Sequence, residues 1–213
     1  KVADFLLDLQ DKNGEPINDI IQINNKNTGG WFWWGNKQCT PEEYNELCRM
    51  TVRHLRDKRG VRNVLYAFSP ASISTEAEFL SRYPGDEWVN IIGFDTYFYA
   101  PEKEGSEAKY INDIKAGLDV VTRYAAKANK IPILAETGVE GVVVGDYFTN
   151  VFYNAISDYR FSYVLFWRNA HNMPQHFYVP YKGHKAEADF KTFCAKENIL
   201  MNKDLHQIYK RNK

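Results

Sequence analysis

Short runs of consecutive apolar residues alternate with stretches whose apolar positions recur every three to four residues. The runs "DIIQIN" (19–24), "NVLYAFS" (63–69), "WVNIIGFD" (88–95), "IPILAE" (131–136) and "SYVLFW" (162–167) read as strands. Helical periodicity runs through "KVADFLLDLQ", "TPEEYNELCRMTVRHLRDKRG", "STEAEFLSRYPG", "EAKYINDIKAGLDVVTRYAAKANK", "DYFTNVFYNAISDY" and "KAEADFKTFCAKENI". The second of these carries its own punctuation: Thr40 as N-cap, Pro41 at the first helical position, Glu43 closing a capping box and Gly60 as the stop. Strands that are apolar throughout, each followed by a helix, imply a parallel sheet covered on both faces.

Polar or aromatic residues fall at the strand C-termini: Asp95, Glu136 and Trp167. Parallel α/β folds bind ligands at that end. No strand is followed by GxGxxG or GxxxxGK[ST], which makes a nucleotide-binding sheet the weaker reading. Five βα units of roughly 30–40 residues each fit either an open five-stranded sheet or the later part of a (β/α)8 barrel, which typically takes about 250 residues. No repeat, linker or low-complexity stretch divides the chain, so residues 1–213 are expected to form one domain.

Charge narrows the partners. Lys+Arg and Asp+Glu are both 27, a balance that argues against nucleic acid and against an anionic membrane surface. No apolar run approaches a membrane span, and no signal peptide is visible. The chain opens on Lys inside a helical pattern, as a processed or truncated product would. Cys39, Cys48 and Cys194 make no CxxC pair and read as buried thiols. His171, His176 and His184 share one loop without zinc spacing, so no metal is expected, and they read as packing or substrate contacts. "DKRG" and the final "KRNK" read as solvated charge.

Aromatics make up 15% of the chain, and "GGWFWWG" places Trp31, Phe32, Trp33 and Trp34 together after two glycines. Such a cluster outside a regular element suits a stacking platform for a flat, uncharged ligand. Glu136 leaves a buried strand at its C-terminal end, where a carboxylate can serve as nucleophile or base. For a lone Glu, a cap or a salt bridge is the plainer reading; its neighbours change that. Asp95 and Tyr97 end the adjacent strand as "GFDTY", and a tyrosine hydroxyl can orient a carboxylate. Trp167-Arg168-Asn169 offer an indole face with donors and acceptors, a combination suited to a pyranose ring.

These segments resemble glycoside hydrolase family 26, the β-mannanases, and especially its Bacteroidetes branch. The likeness covers nearly the whole chain: "KVADFLLDL", "NTGGWFWWG", "CTPEEYNELCRMTVRHLRDKRGVRNVLYAFSP", "RYPGDEWVNIIGFDTY", "IPILAETG", "SYVLFWRN" and "HFYVPYKGH". The resemblance implies an α/β (β/α)8 TIM-barrel fold, of which this chain holds the last five βα units, strands four to eight. It implies retaining, endo-acting cleavage of β-1,4-mannosidic bonds by two glutamates at the ends of strands four and seven, with no cofactor. The implied partner is a β-mannan, and the implied setting is secreted, periplasmic or cell-surface.

By motif, Glu136 of "AETG" matches the nucleophile and Tyr97 the tyrosine that orients it. Trp31 matches an aromatic of the cleft, Trp167 the floor of the subsite where the bond breaks, and Arg168 a contact to the next sugar. Two departures stand out. The family's arginine-proline-aromatic-histidine-glutamate reads here Gln22, Ile23, Asn24, Asn25, Lys26. Lys26 therefore occupies the acid/base position, and Asn25, beside it in place of a histidine, is assigned to substrate binding. An ammonium next to Glu136 is expected to pair with it, and hydrolysis to be poor or absent. Strands one to three are also missing, so a larger protein or a separate N-terminal segment is expected. The alternatives are a non-catalytic mannan-binding pseudoenzyme and an unrelated α/β binding protein; oligosaccharide binding without hydrolysis marks the first, and no such affinity the second.

Overall fold

The computed structural model describes residues 1–207. These form two compact units: the first comprises Lys1–Thr96, Asp113–Thr137 and Tyr159–Leu165, the second Tyr97–Asn112, Gly138–Asp158 and the residues from Phe166 onward.

The sheet lies in the first unit. β1 (Asp19–Gln22), β2 (Val64–Phe68), β3 (Ile91–Ile92) and β4 (Ile131–Pro132) stand side by side in chain order, every pair parallel. Ile21 lies opposite Tyr66, Ala67 opposite Ile91, and Ile92 opposite Pro132. β5 (Leu134–Thr137) pairs with β6 (Val164–Phe166). Ser162 N donates to Pro132 O and Leu134 N to Tyr163 O, steps that advance together along both strands as parallel pairing requires. The run expected as one strand over 131–136 is thus divided at Ile133, beside Pro132, which brings no N–H to either ladder.

Phe68, Ile91, Ile92, Phe94, Ile133, Leu134 and Ala135 are all buried, the signature of a sheet covered on both faces. Packing there is close enough to require glycine. A Cβ on Gly93 would stand 2.5 Å from Ile133 Cγ1 and 2.8 Å from its carbonyl oxygen. Gly117, on α4 (Ser106–Ala128), likewise leaves room for the ring of Phe94. Within this unit α4 buries Ile114, Leu118, Val121 and Ala125, one stripe at helical spacing.

α1 (Val2–Asp8) opens the chain, and α2 (Pro41–Val52) starts at the expected capping box. Glu43 N donates to Thr40 Oγ1 (3.2 Å) and Thr40 N to Glu43 Oε2 (2.8 Å). α2 continues as a π-helical segment, Arg53–Lys58, which the periodicity does not reveal. α3 (Glu76–Leu80) repeats the capping box with Thr75 and Glu78. In the second unit a π-helical stretch, Tyr147–Phe152, runs into α5 (Tyr153–Ile156), and α6 (Glu187–Cys194) packs on it through Phe148–Phe190 and Phe152–Phe193 contacts at 4.7 and 5.7 Å between ring centroids. Asp189 of α6 accepts from Phe148 N at 2.7 Å and from the Thr149 hydroxyl, tying a helix start that has no cap of its own.

Of the three thiols only Cys48 is buried; Cys39 and Cys194 are half-buried, because they stand at helix ends, Cys39 just before the N-cap of α2 and Cys194 at the last position of α6. All three are free. "DKRG" is exposed as expected, while "KRNK" lies outside the described residues. No described helix is long and apolar enough to cross a membrane.

Candidate active site

Beyond the formal ends of the strands the parallel ladder continues as single bridges, Ala71 to Asp95 and Asp95 to Glu136. Asp95 N donates to Pro70 O and Thr96 N to Glu136 O, both at 3.0 Å. Residues bridged on neighbouring strands face the same side of a sheet. Asp95 and Glu136 therefore present two carboxylates together at the C-terminal end.

The segment after β1 approaches them by a bend. The strand expected to reach Asn24 stops at Gln22, because Asn24 and Lys26 adopt left-handed φ values of 47° and 55°. Asparagine tolerates that region; for lysine it is uncommon and needs external support. Support is present on each side. Trp34 Nε1 donates to Asn25 O (2.9 Å), the Tyr44 hydroxyl donates to Asn24 O (3.0 Å), and Asn27 Nδ2 donates to that hydroxyl (3.0 Å). Lys26 N itself returns to the ladder, donating to Ser69 O at 2.8 Å.

The bend delivers Lys26 Nζ between the two carboxylates. It forms a hydrogen-bonded ion pair with Glu136 Oε2 and lies 3.1 Å from Asp95 Oδ2. Glu136 Oε1 accepts from Asn25 Nδ2 at 3.1 Å, so Asn25 stands beside the carboxylate. Asp95 is 2% exposed and Glu136 3%, whereas the Lys26 side chain is 17% exposed. Burial pushes the Asp95 carboxyl up to about 8, reinforced by the charge of Glu136 and opposed by that of Lys26. At neutral pH Asp95 thus keeps its proton beside the Lys26–Glu136 ion pair.

The tryptophan run divides in two. Trp31 and Trp33 are 65% and 66% exposed, while Trp34 is half-buried and stacks on Phe32 at 4.4 Å with planes 10° apart. Arg82, itself buried, donates to the carbonyls of Trp34 (3.1 Å) and Cys39 (3.0 Å) and holds the loop from below. The Trp31 indole lies where a side chain on Gly29 would stand. Two rings are offered outward and two brace the Lys26 bend.

Tyr97, Trp167 and Arg168 belong to the second unit. Trp167 is half-buried and Arg168 exposed. Asn169 works as a clip: its Oδ1 accepts from Tyr178 N (3.0 Å) and Val179 N (3.1 Å), and its Nδ2 donates to Val179 O (2.8 Å). The Tyr97 ring lies 5.9 Å from that of Tyr99 and 5.6 Å from that of Tyr178. His176 Nδ1 is 2.7 Å from Glu140 Oε1, and His184 Nδ1 accepts from Ala186 N. No group of metal-binding side chains occurs among the described residues.

Sequence reasoning named Asp95 only as a strand-end residue and missed it as the third member of the ionic cluster. Its signal was available, since "GFD" and "LAE" end adjacent apolar strands at one level. The bracing by Tyr44 left no such signal.

The family model for glycosyl hydrolase family 26 matches residues 1–160. A mannan endo-1,4-beta-mannosidase of Bifidobacterium adolescentis is 33% identical over 208 residues, 90% of this chain and 21% of that protein. Among solved structures, a GH26 beta-mannanase from Bacteroides ovatus superposes with a TM-score of 0.92 at 38% identity, covering 99% of this chain and 60% of that one. A modular endo-beta-1,4-mannanase from Cellulomonas fimi gives 0.86 at 30% identity, covering 99% and 48%. The chain therefore spans about a fifth of the Bifidobacterium protein's length and 60% of the Bacteroides one. With that match and an α/β fold shared with solved members, the chain belongs to glycosyl hydrolase family 26.

Proposed function

We propose that the chain acts on β-1,4-mannan, with Glu136 as the nucleophile of a retaining displacement and Lys26 as the group that makes turnover slow. The observation that carries this reading is the Lys26–Glu136 ion pair at the C-terminal end of the sheet. In a retaining reaction Glu136 attacks the anomeric carbon as the bond to the leaving sugar breaks and that sugar's oxygen takes a proton from the partner acid; in the second step water, losing a proton to the partner, bonds to the anomeric carbon and displaces Glu136. An ammonium is a far weaker acid than a carboxylic acid. Lys26 also neutralises the carboxylate that must attack, while Asn25 orients it. By resemblance, Tyr97 is assigned to orienting the nucleophile, and Trp31, Trp167 and Arg168 to holding sugar rings.

The same ion pair favours a second reading, mannan binding without turnover. Calorimetry with mannohexaose, followed by NMR of any products, tests both. The first reading expects binding, slow cleavage with β-configured new ends, and loss of cleavage in Glu136→Ala. Binding with no cleavage over days selects the second, and absence of binding overturns both.

A further inference from the structure

A cavity of about 540 Å³ lies wholly within the second unit, between α6, the segment 180–182 and Lys203. We propose that it binds a small anion with a planar apolar body, an arylcarboxylate, whether or not the chain acts on mannan.

Three observations carry it. The first is an apolar lining built around two rings, Phe190 and Tyr181, with Pro180 and Ala195 beside them. Tyr181 is 59% exposed, and its ring is fixed by Phe177 and His184 at 5.4 and 5.2 Å between centroids. Cys194 adds no charge, since burial pushes its thiol up. The second is the sign of the charges. Lys182, Lys191 and Lys203 line the cavity against a single acid, Glu187. Lys191 Nζ pairs with Glu187 Oε1 at 2.5 Å, whereas Lys182 and Lys203, both exposed, make no ion pair among the described residues. Two cations are thus left over, and they favour an anion. The third is the shortage of acceptors. Lysines only donate, and both Glu187 oxygens are engaged, one by Lys191 and the other by Gly183 N at 2.6 Å. The hydroxyls of a sugar would find no side-chain acceptor there but the Tyr181 oxygen, so the occupant is a flat apolar body carrying a carboxylate rather than a polyol. The volume falls in the range of small-ligand pockets, which runs from about 300 to 1,000 Å³.

Calorimetric titration of the full chain with sodium 4-hydroxycinnamate decides the matter, run beside its uncharged methyl ester and beside galacturonate, a carboxylate on a sugar. The acid is expected to bind saturably, the ester and galacturonate more weakly. Lys182→Gln and Lys203→Gln should each weaken the acid about two- to fivefold, the worth of an exposed ion pair, and leave the ester unchanged. Tyr181→Ala should weaken acid and ester alike, about three- to tenfold, the worth of one stacking contact. Both lysines are exposed, so their variants should fold, which circular dichroism checks. Absence of saturable binding by the wild type overturns the site. An ester that binds as tightly as the acid, or wild-type affinity for the acid in the Lys182→Gln, Lys203→Gln double variant, overturns it as well, since the cations would then not be the contact. Galacturonate bound more tightly than 4-hydroxycinnamate overturns the assigned ligand class.

Discussion

Lys26 is the residue on which the site turns, because two buried carboxylates face its single charge. Removing it leaves Asp95 and Glu136 side by side in a dry setting, and breaking a buried pair costs about 3–5 kcal/mol. Lys26→Met should accordingly lower the urea midpoint strongly, more than Lys58→Met on the exposed "DKRG" segment. Asp95 gives a pH signature. Its folded-state pKa of about 8 lies above the ordinary carboxylate value of 3.8. Below about pH 4 both folded and unfolded chains hold the proton and nothing is lost. Between there and about 8 only the unfolded chain releases it, so stability falls as pH rises, by an amount on the order of a few kcal/mol, then levels off. Urea unfolding at pH 5 and pH 9 should show that fall in the wild type and a flatter response in Asp95→Asn; a rise with pH in the wild type would reverse the account. Glu136 and Lys26 were legible because each stands at a motif position. The raised pKa of Asp95 was not, since it arises from burial by residues remote in sequence.

At the scale of elements, all five expected strands and all six expected helices occur, since each is announced by an apolar run or a helical stripe. Thr40→Ala should cost about 1 kcal/mol through loss of the capping box, read as a shift in thermal midpoint. Gly93→Ala should cost more, about 1–3 kcal/mol, because the added methyl meets the Ile133 carbonyl and the sheet cannot part to admit it. Three features escaped the pattern. The π-helical segments at Arg53–Lys58 and Tyr147–Phe152 share the apolar periodicity of ordinary helix. The division at Ile133 depends on which neighbour each half finds. The early end of β1 at Gln22 follows from the left-handed turns at Asn24 and Lys26, which are stabilised by Tyr44 and Trp34 from elsewhere in the chain.

For the whole molecule, the family and the parallel order of the sheet were readable from motifs spread along the chain, while its two-unit organisation was not, since it depends on contacts between distant segments. Trp167 and Trp34 separate binding from bracing. Trp167→Ala should weaken mannohexaose binding several-fold through loss of a stacking face; Trp34→Ala should instead lower the thermal midpoint, because its indole holds the Asn25 carbonyl. A larger affinity loss in a folded Trp34→Ala would reverse that division. The central claim is that the chain carries a retaining nucleophile whose partner acid has become a lysine. Mannohexaose turnover by Lys26→Glu, measured beside the wild type, tests it most directly. A restored general acid contributes typically 10²–10⁴-fold, so Lys26→Glu should cleave at least about a hundredfold faster than the wild type, with the gain abolished by adding Glu136→Ala. Equal rates in the wild type and in a folded Lys26→Glu would contradict the account.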